Sequence, residues 1–131
     1  MNTDVMRNTL HASESGQRTF PQVIQALTAV GVESYHADFV RGEDTFYLAN
    51  GRTHIEKMKL PVTVIAENFS PEPLVETIRA VQADQIRYPD FLSRAMAAGT
   101  TGYWVYLTGR KVVYFGRKGE FHVEHFPGAR P

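Results

Sequence analysis

The sequence predicts an α+β domain. It reads as a tandem duplication of a helix–helix–three-strand antiparallel unit, with pseudo-twofold symmetry and the helices on one face of the sheets. Three observations lead there. The chain matches itself without a gap at an offset of 68 residues. Each half carries two helical stripes followed by three alternating runs. Glycines punctuate both halves at corresponding points. In the self-match Pro21 falls on Pro89, Ala29 on Ala97, Gly31 on Gly99, Tyr35 on Tyr103 and Gly51 on Gly119. His54 and Glu56 fall on His122 and Glu124, so polar as well as apolar residues recur. The domain is expected to span 1–131, as repeats of about 3–58 and 71–126 joined by a linker at 59–69.

In the first half, residues 3–13 carry Met6 and Leu10 at helical spacing. A second helix starts near Thr19, which has capping-box spacing to Gln22 and a proline at 21. Its stripe is Val23, Ile24, Leu27 and Val30, and Gly31 ends it. Three strands follow at about 33–40, 45–49 and 52–58, the last two joined by Asn50-Gly51, a strong hairpin signal. In the second half Ser70 and Pro71 open a helix carrying Leu74, Val75, Ile78 and Val81. A helix at about 89–98 carries Phe91, Leu92, Ala95 and Met96. Strands follow at about 100–108, 111–116 and 120–126. The linker holds Val62, Val64 and Ile65, consistent with packing or an extra strand. Halves of roughly 60 residues bury too little surface to be very stable alone, so the two sheets should join edge to edge or stack face to face.

Composition narrows the function. With 131 residues, 43% hydrophobic and 14 basic against 14 acidic side chains, the chain can bury a core and carries no strong field for nucleic acid. No apolar run approaches the roughly 20 residues of a membrane helix, and the N-terminus lacks the pattern of a secretory signal. Absence of cysteine excludes thiolate chemistry and fits a cytoplasmic location. Arg110-Lys111 and Arg117-Lys118 sit at hairpin tips, where solvated charge protects strand edges.

Alternation assigns Tyr35, Ala37, Phe39 and their counterparts Tyr103, Val105 and Leu107 to the core. On the third strands, Thr53, Ile55, Phe121 and Val123 are assigned to the same side. The face away from the helices is then expected to carry His36, Trp104, Tyr106, Met58 and Phe126. Such a face suits a small-ligand pocket or a contact with a second copy. His54, Glu56, His122 and Glu124 are expected on that same outer side. If the approximate dyad brings the two pairs together, they suit zinc, manganese or iron, or acid–base chemistry. The plainer reading is surface ion pairs. His125 falls on the opposite side from the four. No cofactor is expected, a divalent metal being the one candidate. A binding or oligomerisation module is favoured over an enzyme.

The runs from Ala98 through Tyr103-Trp104 to Leu107, from Gly109-Arg110-Lys111 to Gly116, and from Gly119 through His122-Val123-Glu124 to Pro127 together resemble the YbcV-like family. Gly31-Val32 through Tyr35 and Asp38 to Asn50-Gly51, and Ile78-Arg79-Ala80 with Gln82 and Tyr88, are also similar. These are small bacterial and prophage-borne proteins often labelled "phage envelope protein". The family has no established activity, so the resemblance implies no site at any residue.

Overall fold

A computed structural model describes residues 1–127; the last four positions of the expected 1–131 domain lie outside the described residues. The chain runs α1 (Thr3–Glu14), α2 (Phe20–Ala29), β1 (Val32–Asp38), β2 (Glu43–Leu48), β3 (Thr53–Lys57), α3 (Pro71–Gln82), α4 (Tyr88–Ala97), β4 (Thr100–Tyr106), β5 (Lys111–Gly116) and β6 (Phe121–His125). Every element of the second half begins and ends 68 positions after its counterpart.

Local chemistry accounts for the boundaries. The Thr19 N–H donates to Gln22 Oε1 at 2.8 Å, as the capping-box spacing requires, and Pro21 occupies the first turn of α2. Gly31 and Gly99, both at positive φ, close α2 and α4. Among the described residues all eight with positive φ fall into four pairs 68 positions apart: Gly16 with Asp84, Gly31 with Gly99, Gly42 with Arg110, and Gly51 with Gly119. Each half also carries one register shift at the same place, Val32 to Ser34 in β1 and Thr100 to Gly102 in β4.

The strands join edge to edge into one six-stranded antiparallel sheet, ordered β3-β2-β1-β4-β5-β6. Its centre is the β1–β4 ladder, where His36 pairs with Trp104. One face is buried under the helices. Tyr35, Ala37, Phe46, Leu48, Tyr103, Val105, Val112 and Tyr114 point there and meet Met6, Leu27, Leu74, Ile78 and Leu92. Burying one such aliphatic side chain contributes about 2 kcal/mol.

The segment between the halves forms no extra strand. It packs through Leu60, Ile65 and Phe69 and is tied to α4, its Ala66 N–H donating to the Met96 carbonyl at 3.0 Å and Ser70 N–H to the Ala98 carbonyl at 2.7 Å. Val62 and Val64 remain exposed.

The edge strands depart from the expected facing. Phe46 pairs with His54 and Asp44 with Glu56; Tyr114 pairs with His122 and Val112 with Glu124. Directly paired residues share a face. His54, Glu56, His122 and Glu124 therefore lie on the helix side, whereas Ile55 and Phe121 are solvent-exposed on the other. Hairpin register dictates this phase. The apolar Ile55 and Phe121 mislead because an edge strand lies beyond much of the helix layer and need not bury its apolar residues.

Candidate functional site

Three places hold the functional candidates. The first is the pair of His-x-Glu motifs. His54 Nε2 hydrogen-bonds Glu56, which also accepts from Arg7 Nε of α1 at 3.2 Å. At the other edge His122 Nε2 lies 2.8 Å from Glu124 Oε2, and Glu124 is ion-paired with Arg79 of α3. Partial burial works to raise both carboxyls, but the adjacent arginine and histidine hold each below the usual range. The expected convergence does not occur. β3 and β6 are opposite edges of the sheet, five interstrand steps or about 24 Å apart. Among the described residues no group of three or more His, Asp or Glu is placed to hold a metal ion. Each cluster joins the first helix of a half to its outermost strand.

The second is the open face. His36, Trp104 and Tyr106 lie on it as expected. His36 stacks on Trp104 with ring centroids 4.7 Å apart; Tyr47 lies 5.2 Å and Tyr106 6.0 Å from the same indole. Partial burial lowers the His36 pKa against the opposing pull of Asp38. Met58 and Phe126 are not on this face: Met58 is in the core, and Phe126 packs edge-on against Phe20 of α2 with centroids 5.3 Å apart. Their positions follow the corrected phase of the edge strands. Val113, Phe115 and Val123 extend the apolar surface, while Ile55 and Phe121 stand more than half exposed at its margins. Among the described residues no helix covers it.

The third was missed by the sequence reading. Between the two helix pairs and the sheet lies a cavity of about 570 Å³. Its inner wall carries Tyr35, Phe46, Phe91, Tyr103 and Tyr114 around Asp44. Asp44 is 2% exposed and its Oδ1 has no hydrogen-bond partner. Burial, reinforced by the charge of Glu14, pushes its pKa well above the carboxylate range. The Tyr88 and Tyr103 hydroxyls bond one another at 2.7 Å, and burial raises both phenols as well as that of Tyr35. At the solvent end, Arg18 donates to Thr9 Oγ1 at 3.0 Å, and Arg87 is ion-paired with Asp84. The missed signal was Asp44 itself: a carboxylate in phase with Phe46 and Leu48, at the position where the second half has Val112.

Residues 8–125 match a family described as "Protein of unknown function (DUF1398)", and the chain belongs to that family. It is also 35% identical over 63 residues to an uncharacterised protein of Mycobacterium bovis and to uncharacterised proteins of two Mycobacterium tuberculosis strains. The match covers 48% of this chain and 38% of those proteins. No activity is established in the family description or in these relatives' names. No described helix is long and apolar enough to cross a membrane.

Proposed function

We propose that this family member is a binding module whose open sheet face pairs with a second copy of the chain. The observation that carries the reading is the uncovered aromatic surface centred on Trp104. Six strands at about 4.8 Å spacing, each about 20 Å long, give a face of roughly 600 Å². Two copies would then bury about 1,200 Å², above the roughly 1,000 Å² that marks a specific interface. The apolar middle of that face is a contiguous exposed patch of the kind that marks an interaction site. The charged residues Asp38, Glu43, Lys57 and Lys111 lie toward strand ends, leaving the middle to Trp104, Tyr47, Val113 and Thr45, the arrangement of a polar rim around an apolar centre.

The same proposal includes an origin by duplication. The recurrence of all ten element boundaries, the two register shifts and the four positive-φ pairs supports it. The resemblance to YbcV-like proteins supports a prophage kinship, and the cysteine-free composition supports a cytoplasmic location.

Sedimentation velocity on the wild type and Trp104→Lys tests the interface. The wild type should sediment at twice the 14.8 kDa chain mass, and the variant as a folded monomer. A wild type that stays monomeric at high micromolar concentration, with Trp104 fluorescence typical of a water-exposed indole, overturns the reading.

A further inference from the structure

We propose that the cavity between the helix pairs and the sheet is a binding site for a small, largely apolar aromatic molecule that presents an uncharged hydrogen-bond donor to Asp44. The cavity, about 570 Å³, falls within the usual range for small-ligand sites. It meets the other requirement of such a site, a predominantly apolar surface with polar groups set into it. Tyr35, Phe46, Phe91, Tyr103 and Tyr114 supply flat surface on several sides. Their packing fixes them: Tyr35 and Phe46 rings lie 5.6 Å apart, Tyr103 and Tyr114 5.6 Å, Phe91 and Tyr103 6.2 Å.

Asp44 is a buried acidic group that nothing in the fold explains; Thr100 Oγ1 and His125 Nδ1 are the other buried side-chain atoms without a partner among the described residues. A buried oxygen without a partner costs about 1–3 kcal/mol. The second half shows that the fold does not need it, since valine stands at the corresponding position 112 and is equally buried. A hydrogen bond from a ligand is the use the geometry leaves for this carboxyl at the cavity wall. The donor should be neutral, because a cation drawn against this aromatic wall would force the buried Asp44 to ionise there and lose both hydration shells. The neighbouring Tyr88 and Tyr103 hydroxyls already bond one another and offer such a pair little further support.

The outer end carries the opposite bias. Asp84 is matched by Arg87, and Glu124 by Arg79. Arg18 bonds only a neutral hydroxyl, with no carboxylate within ion-pair distance among the described residues. A ligand bearing an anionic group at its outer end gains there; a cationic one does not.

Three probes on one scaffold separate these features: indole, indole-3-acetate and tryptamine. Each is titrated into the full chain and followed by amide and side-chain NMR shifts. Indole and indole-3-acetate should move the resonances of Tyr35, Tyr103 and Phe46, with tryptamine at least about tenfold weaker. Asp44→Asn keeps a hydrogen-bonding group and should retain indole binding. Asp44→Val copies the second half and should fold, yet bind indole about tenfold or more weakly. Tightest binding by tryptamine, unchanged indole binding in Asp44→Val, shifts confined to Trp104 on the open face, or no shift with any probe would each overturn the proposal.

Discussion

His36 faces Trp104 across the β1–β4 ladder with their rings stacked 24° from parallel, and Trp104 is the residue 68 positions on from His36. The two flanking pairs, Tyr35 with Val105 and Ala37 with Tyr103, are each other's counterparts. The β1–β4 ladder is therefore centred on this pair, and there the two halves carry different rings. Burial lowers the His36 pKa, so the folded chain binds a proton there less readily than the unfolded chain. The stability this contributes is present above the unfolded value of about 6.5 and is lost as pH falls from there through the lower folded value. Thermal melts between mildly alkaline and mildly acidic pH should show this loss in the wild type and a smaller one in His36→Phe, which keeps the stack. Equal pH dependence in both proteins counts against the assignment.

Asp44 has the opposite sign. Its folded pKa is raised by burial and by Glu14, with the Tyr35, Tyr88 and Tyr103 phenols as its neutral neighbours. Stability from this group is complete below about pH 3.9 and is lost as pH rises through the folded value. Asp44→Val should therefore exceed the wild type in stability at neutral pH, and its advantage should shrink as pH falls toward 4. Denaturant midpoints at both pH values decide it. A variant less stable than wild type at neutral pH would mean that Asp44 has a supporting partner in the fold.

The contrast between these residues shows what was legible beforehand. His36, Trp104 and Tyr106 share the open face that alternation assigns them, because β1 and β4 are central strands, where alternation and burial agree. Alternation assigns His54, Glu56, His122 and Glu124 to the wrong side because β3 and β6 are edges. Apolarity at Ile55 and Phe121 does not report burial there. The cavity was invisible for another reason. Tyr35, Tyr103 and Tyr114 read as ordinary core aromatics, and only the splay of two helix pairs over one sheet turns them into a wall. The element order and its offset of 68, by contrast, were readable because periodicity and glycine punctuation are local signals.

The turn after β4 offers a stability gain. Arg110 has φ 58°, where Gly42 stands in the first half at φ 71°. A left-handed conformation costs a non-glycine residue about 1–2 kcal/mol, partly offset in glycine by greater freedom when unfolded. Arg110→Gly should stabilise the chain by about 0.5–1 kcal/mol, and Gly42→Arg should destabilise it by a similar amount. Chemical denaturation measures both; the same sign for the two substitutions would contradict the strain argument.

Gly31 and Gly99 share a position and a positive φ, +85° and +87°, yet their surroundings differ. A Cβ on Gly31 meets nothing within 4 Å. A Cβ on Gly99 would run into the Asn68 carbonyl oxygen, 2.7 Å from Asn68 C and 2.9 Å from Phe69 Cα, all backbone atoms with little room to yield. The difference comes from the connection between the halves, which passes under Gly99 before Ser70 binds the Ala98 carbonyl. Gly31→Ala should thus cost only the conformational term, about 1 kcal/mol. Gly99→Ala adds displacement of the connecting segment and should cost about 3 kcal/mol or more. Equilibrium unfolding of the two variants gives the comparison directly. Hydrogen exchange at the Ala66 and Ser70 amides, whose bonds anchor that segment to α4, should accelerate in Gly99→Ala and stay unchanged relative to global stability in Gly31→Ala. Equal costs at the two sites would show that the segment does not hold Gly99 from below.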